Sequence, residues 1–190
     1  EVLLRRLSTD PLVSGAALGK SLADGYLAKM QRIGDESIVT FSITDLSRIP
    51  ALVGTLEVTA RAWSSRLATE GADAWILLAY GRQHALDFSS AKFFGPMVDV
   101  VDIGSFFGQS AMDHPGIERA QVLAALDAAV TYKVHGSALH NHPPTGLHMY
   151  FPVKSILDDA TQGQYRALAF SAPIQQWVDH YVDMAHSDVV

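Results

Sequence analysis

A chain of 190 residues is sized for one domain or part of a larger one, and its 48% apolar residues are ample for a packed core. A formal net charge of −6, with lysine and arginine scattered along the chain, argues against nucleic acid as a partner. Cysteine is absent, which excludes disulfides, thiolate metal sites and a cysteine nucleophile within these residues.

The start at Glu1, with neither an initiator methionine nor a signal peptide, is expected of a piece of something longer. Apolar runs are broken by charges or turn residues within a few positions, so no membrane span is expected. Ser14 reads as an N-cap, and Leu18, Leu22, Tyr26 and Met30 then form an apolar stripe at helical spacing. "SIVTFSITD" reads as a strand ending at Thr44 or Asp45. A helix is predicted from about Pro50 to Leu67, because proline is tolerated in a first turn. "DAWILLAYGRQ" fits helix better than strand, and "HALDFSSAKFFGP" reads as loop.

Asp102 is placed to cap a short helix holding Phe106 and Phe107, and "HPGIERAQVLAALDAAV" predicts another helix. "VTYKVHG" and "GLHMYFP" predict two strands joined by a proline-containing loop. In the second, Leu147, Met149 and Phe151 share one face, and His148 and Tyr150 share the other. In the last helix Pro173 sits in the first turn, and Ile174, Trp177, Val178, Tyr181, Val182 and Ala185 mark one face. The sum is a helix-rich α/β chain with about three strands, too few for an independent doubly wound domain.

The histidines invite a metal reading. "HNHPP" resembles the His-x-His-Pro of zinc-dependent JAMM peptidases, in which a following Ser-x-x-Asp completes the zinc shell. Here Tyr150 stands at the place of that serine, and Ser155 and Asp158 come several residues too late, beyond Pro152. His140 and His142 are therefore expected to be solvated residues of a stiffened hairpin loop, and no metal ligands are assigned. His135-Gly136 resembles the catalytic His-Gly step of caspase-like cysteine peptidases. Asp159-Ala160-Thr161, however, puts threonine where their cysteine would stand. His135 then reads as a solvent-facing residue at a strand end. Asp99 fits a turn, and Trp177 and Tyr181 fit a core helix face. Gly15, Gly19 and Gly25 lack the Lys-Ser/Thr of a phosphate loop. No catalytic, cofactor or metal residue is assigned.

Several segments in order resemble the C-terminal half of the clostripain family of cysteine endopeptidases. They are "VLLRRLSTDPLVSGAALGKSLADGYL", "SIVTFSITDLSRIPAL", "VDVVDIGSFF", "TGLHMYFP" and "YRALAFSAPIQQWVDHYVDMA". The match runs over nearly the whole chain, residues 1–190, with a terminal helical segment at 154–190. His148 stands where the family usually has a small serine. The resemblance implies a caspase-like α/β/α sandwich and peptide-bond hydrolysis, with a preference for basic residues. It also implies a secreted or periplasmic parent, calcium use and maturation by internal cleavage. The Cys/His dyad would lie upstream of this chain, so the implied partners are that N-terminal segment and a protein or peptide substrate. A non-catalytic, peptidase-like binding or regulatory module is the alternative, and a JAMM-like zinc peptidase is the least supported. On this reading the chain is expected not to complete its fold unaided.

Overall fold

The computed structural model describes residues 5, 8–10, 12–88, 100–152, 163 and 165–186. Helix α1 spans Gly15–Ile33, capped by the Ser14 hydroxyl, which accepts from the Ala17 N–H at 3.2 Å. It stops at Gly34, whose φ of 74° suits a residue without Cβ. The predicted stripe is only half covered: Leu22 and Tyr26 stay 42% and 41% exposed. The cause is local. Gly19 lets α1 approach Ile43 so closely that a Cβ there would meet the Ile43 side chain at 2.8 Å. Ala23, one turn on, is buried. Small residues thus make the contact line, and the larger apolar ones flank it.

Strand β1 spans Thr40–Thr44. A short turn at Leu46–Arg48, capped by Asp45, leads into helix α2, Ile49–Glu70, with Pro50 in its first turn. Leu52, Leu56, Trp63 and Leu67 face the core from α2. Gly71, at φ 58°, breaks the chain before helix α3, Ala72–His84, so "DAWILLAYGRQ" is helical as predicted. Strand β2, Val100–Asp102, runs into helix α4, Ile103–Gly108. Helix α5 covers Arg119–Ala129, shorter than the sequence suggests at both ends, and the chain passes from it into strand β3, Val130–His135. Strand β4 is His148–Tyr150, and helix α6 is Ala172–His186.

The strand count and the pairing differ from expectation. The described residues hold four short strands in two separate two-stranded sheets, β1 with β3 and β2 with β4, both antiparallel. The strand in "VDVVDIGSFF" was hidden by its length of 3 residues. β3 and β4 are neighbours in sequence but do not form a hairpin. The segment between them crosses from one sheet to the other, and Val101 pairs with Met149. Asp87 adds a bridge to Val101, with Phe88 N–H to Val100 O and Asp102 N–H to Leu86 O both at 3.0 Å.

The architecture is therefore mixed α/β and helix-rich. α2 packs against α5 and α6, α3 against α4 and α6, and α1 lies on β1 and β3. The centre is aromatic. Phe151, just after β4, sits 5.0 Å from the Phe106 and Trp177 rings and 4.6 Å from Tyr181. All four are buried, so residues from three distant parts of the chain close one apolar cluster.

Candidate functional site

The most organised polar cluster grows from Asp102, where β2 becomes α4. Asp102 caps α4, its Oδ1 accepting from the Ser105 N–H at 2.8 Å. Oδ1 also accepts from the Thr145 hydroxyl at 2.6 Å, and Oδ2 from the Thr145 N–H at 2.7 Å. The Thr145 oxygen in turn accepts from the Gly104 N–H at 3.0 Å. Asp102 is fully buried, so these donors replace its lost water. The cap predicted from sequence is present, and it does more than cap: it fastens the loop before β4 to the start of α4.

His148 opposes Asp102 in the β2–β4 register. Its Nε2 lies 3.8 Å from Asp102 Oδ2, and its ring is 4.3 Å from that of Phe88. Burial lowers the His148 pKa below the ordinary histidine value, opposed by the pull of Asp102. Neutral imidazole is thus the form expected at neutral pH. His148 borders a cleft of about 160 Å³ shared with Ser42, Lys133 and Gly146. The Ser42 hydroxyl donates to Gly146 O at 2.7 Å, so its proton is held by a carbonyl and not by a base. Ser42 is thus not presented as a nucleophile.

The other histidines fall elsewhere. His135, expected to face solvent, is half-buried at the end of β3, with its ring edge-on to His140 at 5.2 Å. His140 and His142 are exposed, and His140 Nδ1 is 2.8 Å from Ser137 O. Ser137 also donates its N–H and hydroxyl to Glu36 at 3.0 Å, and the N–H bond first of all holds the Glu36 carboxyl below its usual range. Gly136 is held so close to the Glu36 backbone that no Cβ fits. Among the described residues no three His, Asp or Glu side chains are grouped to hold a metal. Asp99, Ser155, Asp158 and Asp159-Ala160-Thr161 lie outside the described residues. Trp177 and Tyr181 belong to the core, and Gly15, Gly19 and Gly25 lie within α1.

Sequence reasoning missed two features. Arg82 is 1% exposed, with Nη1 3.2 Å from Asp87 Oδ2 and Nε donating to Phe151 O, tying α3 to the segment that bridges β2 and to the residue just after β4. Its placement on the core side of an otherwise apolar helix face was the available signal. The second is a cavity of about 630 Å³ between the second half of α1, the start of β1, the Leu86–Phe88 segment and Leu139. Among described residues no helix is long and apolar enough to cross a membrane. No family model, no curated protein and no solved structure matches this chain.

Proposed function

We propose that this chain is the supporting C-terminal portion of a clostripain-like cysteine endopeptidase. The nucleophilic thiolate and its histidine are supplied by a preceding segment, which cleaves peptide bonds after basic residues. On this reading the parent is exported, and the chain completes a caspase-like sandwich whose sheet needs further strands.

One observation carries the reading: three of the five segments that resemble the family come together in space. "VDVVDIGSFF" supplies Phe106 and Phe107, "TGLHMYFP" supplies Phe151, and the closing helix supplies Trp177 and Tyr181, all in one buried cluster. Tyr150 and Tyr165, from the last two segments, also meet at 4.5 Å. Scattered chance matches have no reason to share a core; parts of one packing unit do. The two small sheets, outnumbered by helices, support the same reading, because helices gathered on so little sheet leave room for more strands.

The test compares two proteins on fluorogenic Arg, Lys and Asp peptides, with and without calcium. One is the 190-residue chain; the other is that chain together with the segment encoded upstream. Turnover is expected only from the joined protein, on the basic peptides, and alkylation of its thiol should abolish it. An upstream segment without Cys and His, or an inert joined protein, would favour the non-catalytic binding module. Turnover by the chain alone would overturn the division of labour.

A further inference from the structure

The cavity of about 630 Å³ borders the Asp102 cluster, sharing Leu86 and Phe88 with it. Its volume lies in the range of small-molecule sites, roughly 300–1,000 Å³. The lining is mainly apolar and includes two aromatic rings, Tyr26 and Phe88, with Met30 and Leu139. Among the described residues its charged lining side chains are Asp35 and Asp87. Arg82 is buried behind Asp87 at 3.2 Å and holds that carboxylate in place.

We propose that this cavity binds a small apolar amine: a hydrocarbon or aryl body carrying one ammonium group. Apolar walls take the body out of water. Asp87 is already paired with Arg82, so direct charge pairing with a cation falls to Asp35, beside the aromatic lining of Tyr26 and Phe88. The Asp35 carboxylate likewise disfavours a carboxylate or phosphate ligand of equal size, since a like charge would meet it. The claim stands apart from the peptidase reading, and either can fail alone.

Three probes of one chain length separate the contributions: octylamine, octan-1-ol and octanoate, titrated calorimetrically into the full 190-residue chain. Octylamine should bind saturably and at least about tenfold more tightly than the alcohol or the acid. Leu139→Trp, which fills the cavity, should abolish binding of all three. Asp35→Asn, at an exposed position, should erase most of the amine's advantage and leave octan-1-ol unchanged. Thermal unfolding of each variant checks that it is folded; should Leu139→Trp not fold, Asp35→Asn decides. Equal affinity for amine and alcohol, preference for octanoate, an unaltered amine advantage in Asp35→Asn, or no saturable binding would each overturn the proposal.

Discussion

Asp102 combines four roles at one buried boundary: strand end, helix cap, anchor for Thr145 and charged neighbour of His148. Asp102→Ala would leave the Ser105 and Thr145 N–H groups without their acceptor in a dry site. Its expected cost is about 2–4 kcal/mol in denaturant unfolding. Thr145→Val keeps the shape and the backbone bond but loses the hydroxyl, and should cost about 1–2 kcal/mol. Equal, negligible losses would mean the cluster is solvated and ornamental. His148 gives a pH test. Burial lowers its folded pKa below 6.5 despite Asp102. As pH falls below that value, the unfolded chain takes up the proton first. The stability contributed by neutral His148 is thus fully present above 6.5 and is withdrawn between 6.5 and the lower folded pKa. Proton NMR of the imidazole should give a midpoint under 6.5, and His148→Gln should flatten part of the acid-side slope. A midpoint at or above 6.5 would mean that Asp102, at 3.8 Å, outweighs burial. Part of this was legible in sequence: an Asp before a short apolar helix is a cap signal. Thr145, by contrast, is joined to Asp102 only by tertiary folding, and no local pattern marks it.

Periodicity found the helices because each helix face repeats over several turns. The α6 set Ile174, Trp177, Val178, Tyr181 and Val182 is buried as the spacing predicted. The same method was half right on α1, where Gly19 and Ala23 make the closest approach and Leu22 and Tyr26 stay partly exposed, Tyr26 beside the Phe41 ring. A hydropathy pattern records which residues are apolar, not how closely a backbone can approach. It failed on strand partners. β3 and β4 each looked like a strand, but alternation says nothing of pairing, and their connection exceeds the roughly 2–5 residues of common hairpin loops. The element most tightly tied to distant partners is the end of β4. Phe151 touches Phe106, Trp177 and Tyr181, and its carbonyl accepts from buried Arg82. Phe151→Ala is expected to cost about 3–5 kcal/mol, as large-to-small changes in closed cores do. Phe151→Leu, which refills most of the space, should recover more than half of that loss in the same unfolding experiment, since both variants keep the backbone carbonyl that Arg82 bonds. A loss under about 1 kcal/mol for the alanine variant would show that the cluster collapses around the gap.

The whole molecule joins a well-packed helical layer to a weakly paired sheet layer. Helices α2, α3, α5 and α6 bury their apolar faces on one another. Among the described residues the strands form two pairs, with one bridge from Asp87 to β2, and all five residues of β1 stay half-buried. Isolated two-stranded sheets are marginal in water, and open strand edges invite pairing with other chains. The proposed peptidase architecture answers both problems with strands from the preceding segment. The thermodynamic consequence is directional. A segment that binds only the folded form stabilises it by mass action, or more when covalently joined. The chain joined to its upstream segment is therefore expected to unfold at a temperature about 4 °C or more above the chain alone, the shift that about 1 kcal/mol or somewhat more brings to a domain of this size. Concentration-dependent self-association by light scattering should fall at the same time, because covered edges have no partner to seek. A chain alone that is monomeric at all concentrations, with an unfolding temperature the upstream segment leaves unchanged, would show that the sheet layer needs no completion. The case for a divided peptidase would then lose its physical motive.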